Sequence, residues 1–157
     1  MSQPSHERLV RHWIDSGLKI SKGCSPSDVQ RFELENRVTL PEDFRLYFLN
    51  VNGMLPDARE DCDRNGFCFW PLSGVKSVVK ELALHSSSIP GSAEDHVYFV
   101  FADYFQWSWA YAIRLLEVAT GPNPVIHVGT LRPKVVADSF TQFVELYLLD
   151  AEQLYPV

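Results

Sequence analysis

Phe44, Tyr47, Phe48 and Val51 recur at the i, i+3, i+4, i+7 spacing that places them on one face of a helix. Pro41, just ahead of them, lacks a backbone N–H and belongs in a first helical turn. Thr39 and Glu42 have capping-box spacing, with Leu40 as the other candidate for the cap. Asn52-Gly53 offers a cheap positive φ, so the helix stops there. Residues 32–54 therefore predict the end of one helix, a Leu-Pro break, and a second helix whose aromatic face packs on a sheet. Upstream, Leu9, Val10, Trp13 and Ile14 share one side of a helix over 5–16, with Gly17 as its stop. Ser25-Pro26-Ser27-Asp28 supplies a cap, a first-turn proline and a first-turn acid for the next helix. That helix turns Val29 and Phe32 inward and closes its flank with Leu34.

The second half of the chain changes period. Residues 67–72 read as a short strand ended by Pro71. Val75, Val78, Val79 and Leu82 return to helical spacing over 75–84, with Ser73 as a helix cap. Residues 97–102 are continuously apolar, the pattern of a strand covered on both faces. After a connection at 103–106, residues 107–115 alternate, with Trp107, Trp109, Tyr111 and Ile113 on one face. Val125, Ile126 and Val128 form another β-type run after the turn at Thr120-Gly121-Pro122. A last helix follows: Ser139 and Gln142 have capping-box spacing, and Phe140, Phe143, Val144, Tyr147 and Leu148 form its apolar face. Residues 55–66 and 85–95 lack periodicity and read as exposed loops. The connections between strands are too short for helical crossovers. The expected architecture is a single α+β domain over 1–157, a mainly antiparallel sheet flanked by helices.

Charge narrows the range of partners. The 14 basic and 20 acidic residues give a net charge of −6. No cluster of Lys and Arg offers the counter-charge that phosphate binding requires, so nucleic acid is not expected as a partner. The same field favours a basic protein. Cys24, Cys62 and Cys68 are odd in number and do not suggest a disulfide framework. The first residues are polar and include Glu7, Arg8 and Arg11, and no apolar run reaches the length of a membrane span. A cytoplasmic location with no membrane partner is the expectation.

The residue types that carry chemistry are scattered. Cys62, Cys68, His85, His96 and His127 are the metal-ligand types, but five residues separate the cysteines and no paired histidines follow. Neither a metal nor a cofactor is expected. Ser73-Gly74 lacks the Gly-x-Ser-x-Gly frame of a nucleophile elbow. Residues 61–66 contain part of a calcium loop, but Arg64 interrupts it and Leu72 stands where the bidentate Glu belongs. Asp57, Glu60, Asp61 and Asp63 form either a solvated acidic loop or, beside neighbouring aromatics, a partner-binding patch. In the run from Tyr104 to Trp109, alternate members belong to the core, which leaves Tyr104, Gln106 or Ser108 on the other face.

Several short motifs, taken in order, resemble the SUKH superfamily of the SMI/KNR type, which includes bacterial toxin-immunity proteins and fungal cell-wall regulators. They are Glu35, Leu40-Pro41-Glu42-Asp43-Phe44, Phe48-Leu49 and Asn52-Gly53, then Phe69-Trp70-Pro71-Leu72 and Phe101-Ala102-Asp103. Asn123-Pro124-Val125-Ile126 and Ala137-Asp138-Ser139-Phe140 with Phe143 complete the series. The resemblance implies an α+β fold, no enzymatic activity and a role in protein binding. Bacterial members are similar to immunity proteins that block a cognate toxin, often a nuclease or deaminase. The chain departs from the pattern at Ala102-Asp103-Tyr104-Phe105-Gln106-Trp107, where the family often has Gly-Asp and further glycines, and at Arg114, which follows Ile113 in place of an Asp. The expectation is an immunity protein that covers a basic toxin domain through Asp57, Glu60, Asp61, Asp63, Asp103 and Trp107. A regulatory scaffold in a housekeeping pathway is the alternative, and a hydrolase the least favoured reading.

Overall fold

Local hydrogen bonding starts and stops the helices that build one side of the domain. The computed structural model of the chain describes residues 3–54, 62–84, 95–130 and 134–156. Helix α1 (Ser5–Asp15) ends on Gly17 at φ 83°, where the Gly17 N–H donates to the Ile14 carbonyl and the Leu18 N–H to the Trp13 carbonyl. Leu9 and Trp13 are buried, but Ile14 is 57% exposed. It lies one residue past Trp13, which turns it away from the face that meets the other helices. Helix α2 (Pro26–Asn36) opens on a complete capping box: Asp28 N–H donates to the Ser25 hydroxyl, and Ser25 N–H donates to the Asp28 carboxylate, each at 3.1 Å. Val29 and Phe32 face inward as predicted; Leu34 stands in solvent, 81% exposed.

Helix α3 (Glu42–Asn50) begins after Pro41, and the predicted Thr39–Glu42 capping box does not form. The Thr39 hydroxyl is engaged elsewhere, donating to the Glu117 carbonyl at 2.7 Å, while its N–H donates to Leu116. Asp43 organises the helix start instead. One of its carboxylate oxygens accepts the Phe44 N–H; the other accepts both the N–H (2.8 Å) and the hydroxyl (2.7 Å) of Thr141. At the far end Asn52 and Gly53 take positive φ, as the Asn-Gly signal predicts. The same turn also docks the segment after β1, since Asn52 accepts the Leu72 N–H and a Cβ on Gly53 would stand 2.5 Å from the Trp70 carbonyl oxygen.

Strands β1 (Phe67–Phe69), β2 (Lys76–Ser77), β3 (Tyr98–Tyr104), β4 (Trp109–Arg114), β5 (Val125–Val128) and β6 (Val135–Ala137) form one antiparallel sheet in the order β1-β3-β4-β5-β6, with β2 also on β3. The chain is thus α+β, as expected. Strand β6 has too few residues to show a period and exists through its pairing with β5. Of residues 75–77, read as the start of a helix, Val75 closes a 3-10 turn and Lys76 and Ser77 pair with β3, so α4 (Val78–Leu84) starts about one turn late. Its cap is the Ser77 hydroxyl, which accepts the Lys80 N–H; Ser73 sits exposed in a 3-10 turn. Val79 is 52% exposed on the outer side of α4.

Both sheet faces are covered, in line with the continuous apolar run of β3. On one face, α1, α2, α3 and α5 (Phe140–Leu148) enclose an aromatic core of Phe44, Tyr47, Phe48, Phe69, Phe101, Phe140 and Phe143. On the other, α4 covers Tyr98, Val100, Ala110, Ala112 and Val128. The α5 capping box is half formed: Ser139 accepts the Gln142 N–H, but the Gln142 side chain reaches the Asp138 N–H. After α5, a 3-10 turn (Glu152–Leu154) carries the Leu154 carbonyl under the sheet, where it accepts from His127 Nε2 at 2.7 Å and from the Tyr111 hydroxyl at 2.5 Å. Among the described residues no helix is long and apolar enough to cross a membrane.

Cys62 and Cys68 are joined as a disulfide with Cα atoms 4.7 Å apart, a bridge that the odd count of three cysteines did not suggest. The turn between them brings the two together, through Asp63 N–H to the Phe67 carbonyl and Gly66 N–H to the Asp63 carbonyl. Linear spacing does not reveal that turn.

Asp43→Ala removes the acceptor of two Thr141 donors and of the Phe44 N–H, and is expected to lower unfolding stability by about 2–3 kcal/mol in urea titration; a loss below about 0.5 kcal/mol would show that water replaces it. Burial, with Lys134 adding, lowers the His127 pKa from its ordinary 6.5. The unfolded chain therefore binds more protons at that site, and stability falls as pH drops through 6.5. His127→Gln keeps a donor for Leu154 and is expected to flatten that slope between pH 7.5 and 5.5. An unchanged slope would assign it to other groups.

Candidate functional site

The turn joining β3 to β4 contains neither Gly nor Asn, yet Phe105, Gln106 and Trp107 all have left-handed φ, at 46°, 54° and 63°. Each such non-glycine residue costs about 1–2 kcal/mol, so the surroundings must hold the turn. The Phe105 N–H donates to the Gly66 carbonyl at 2.8 Å, and the Ser108 N–H and hydroxyl close back onto Tyr104 and Phe105. Asp103 braces the turn from below. It is 8% exposed, and its two oxygens accept the Trp70 indole N–H at 2.6 Å and the Trp107 N–H at 2.8 Å. The Trp107 indole donates to Glu81 at 3.1 Å, and Lys76 pairs with the same carboxylate at 3.5 Å. The Trp107 ring fills the space over Gly129, where a Cβ would come within 2.7 Å of it.

This arrangement places Trp107 against the α4 cluster, away from the face carrying Tyr111 and Ile113 that alternation predicts for it. Strand β4 begins only at Trp109, and the left-handed residues before it break the period of two. The same turn raises Phe105 into solvent, 65% exposed. Of the three residues the sequence left open, Gln106 and Ser108 are exposed, while Tyr104 is half-buried and stacks on Trp109 at 4.3 Å.

Asp63 lies at the same end of the sheet, because Phe67 pairs with Tyr104 and Cys68 with Asp103. One Asp63 oxygen accepts the Asn65 and Phe67 N–H groups; the other accepts the Tyr147 hydroxyl at 2.5 Å, which in turn accepts the Trp13 indole N–H. Burial, followed by the Asp63 charge, holds the Tyr147 hydroxyl well above its ordinary pKa. The fold thus gathers Asp63, Asp103 and Trp107, and both carboxylates hold backbone in place. Asp57, Glu60 and Asp61 lie outside the described residues, as do residues 85–94 of the loop predicted over 85–95. Phe105 escaped the sequence reading; the signal available was a hairpin connection with no residue suited to positive φ.

A separate cleft of about 610 Å³ between α2 and the 72–80 segment brings Cys24, Asp28 and Ser73 together with Arg31, Lys76 and Lys80, without a histidine. Burial and the nearby Asp28 push the Cys24 thiol up to about 11, so it is not a thiolate near neutral pH. Among the described residues, no three His, Cys, Asp or Glu side chains gather as metal ligands.

Residues 23–146 match the SMI1 / KNR4 family (SUKH-1). No curated protein matches the chain. The matched span runs from the approach to α2 into the last turn of α5, and includes Asp43 at the α3–α5 junction, the Asn52-Gly53 turn and the whole sheet. It covers well over half of the 157 residues, and the chain belongs to the SMI1 / KNR4 family (SUKH-1).

Proposed function

We propose that this chain is a single-domain, non-enzymatic binding protein of the cytoplasm, an immunity protein that covers and neutralises a cognate toxin with a basic surface, such as a nuclease or deaminase. Family membership supports a protein-binding role. The observation that carries the surface assignment is Phe105, a 65% exposed aromatic ring held aloft by three successive left-handed residues and a buried carboxylate. Strain of this kind persists where the surroundings over-determine it, and it clusters at binding sites. A fixed aromatic ring loses little entropy on docking, which suits a central anchor.

Charge supplies the second part. The net charge of −6 steers a basic partner toward the chain, and Asp57, Glu60 and Asp61 adjoin the Asp63 turn in sequence. In this reading Asp63 and Asp103 shape the surface, Trp107 presents its flank, and the three preceding acids attract the partner.

The test is co-purification with the product of the adjacent open reading frame, followed by affinity measurement. Phe105→Ala is expected to weaken binding at least about thirtyfold, the effect of losing a central anchor. Joint reversal of Asp57, Glu60 and Asp61 to lysine is expected to slow association and reduce its salt dependence, with Asp63 left intact because the turn needs it. Full affinity in both variants would remove this end of the sheet from the interface. Gln106→Gly adopts the same φ without penalty and is expected to stabilise the fold by about 1 kcal/mol, read as a higher unfolding midpoint. An unchanged midpoint would show that the turn stores no strain.

A further inference from the structure

Beside Phe105, three more rings share the same end of the sheet. Tyr104 and Trp109 face each other across the β3–β4 register and stack at 4.3 Å with 16° between their planes. Tyr155 meets Tyr104 edge-on at 5.6 Å and Trp109 at 6.5 Å. All three residues are half-buried and pack against the edge of the core. The Tyr155 hydroxyl donates to exposed Asp150 at 2.6 Å. Burial, then the Asp150 carboxylate, with Tyr104 and Asp63 contributing, hold that hydroxyl above its ordinary pKa. The rim of this aromatic face is therefore negative. Asp150 and Tyr155 both fall outside the family-matched residues 23–146.

Aromatic faces attract cations through their quadrupole, and a planar guanidinium both stacks on them and donates to a carboxylate at the edge. We propose that the Tyr104–Trp109–Tyr155 face, with Asp150 at its rim, receives an arginine side chain of the partner protein. This rests on the protein-binding reading above and specifies its chemistry: the basic surface presents an arginine next to the pocket that takes Phe105. A lysine ammonium has no plane to stack and suits the site less well.

N-acetyl-arginine amide and its neutral planar counterpart, N-acetyl-citrulline amide, are titrated into the full ¹⁵N-labelled chain while the Trp109 indole N–H resonance is followed. Arginine is expected to shift that resonance saturably, with an affinity about fivefold better than citrulline. Asp150→Asn keeps a hydrogen-bond acceptor and a residue type that tolerates the left-handed φ of 52°, and is expected to bring arginine down to the citrulline response. Equal titration by the two amides, or an Asp150→Asn chain that binds arginine as the parent does, overturns the proposal. The titration needs no partner, so it can fail while a toxin still binds through Phe105. Conversely, a chain that captures arginine but no toxin refutes the immunity reading alone.

Discussion

Phe44 sits where a helix, the sheet and the last helix converge. Its ring meets Phe48 at 4.7 Å, Phe140 at 5.0 Å and Phe101 at 5.5 Å, and none of its surface reaches solvent. Everything on that side of the sheet is placed relative to this contact. The neighbouring residue, Asp43, fixes the approach by holding the first turn of α5 with one carboxylate oxygen and the first turn of α3 with the other. An apolar ring that draws elements together and a polar group beside it that sets their angle form a pair of constraints. Hydrophobic burial is non-directional, so the hydrogen bonds supply the direction.

The same division of labour recurs at the end of the sheet proposed to bind. Phe67 packs into the core, and Asp63 just before it orders the backbone and reaches Tyr147. Trp107 packs against the α4 side, and Asp103 fixes the backbone amide that aims it. Asp43, Asp63 and Asp103, each close to an aromatic residue, thus act as internal braces. The residues left to meet another molecule are those the braces hold outward.

Long periodic segments were legible from the sequence because burial enforces their spacing. The inward faces of α3 and α5, the stops at Gly17 and Asn52-Gly53, and the antiparallel sheet all follow from residue pattern. Ile14, Leu34 and Val79 were not, since a helix of two or three turns shows more apolar positions than its neighbours can cover. The late start of α4 and the existence of β6 depend on a partner strand, and that information lies elsewhere in the chain. The candidate surface was legible only in outline. Asp63, Asp103 and Trp107 pointed to the end of the sheet that is proposed to bind, but Phe105 became visible only once the turn conformation was known. The Cys62–Cys68 bridge was hidden for the same reason, because a tight turn brings together what spacing keeps apart.

The Leu154 carbonyl accepts two hydrogen bonds from groups on different strands, the Tyr111 hydroxyl on β4 and the His127 imidazole on β5. A single peptide oxygen thereby seals the floor of the sheet for both. Trimming the chain just short of that residue would strand two donors in an apolar setting, each at a cost of about 1–3 kcal/mol. The few residues after α5 are thus a plug for the aromatic side chains above them, and recombinant versions of this domain should retain them intact.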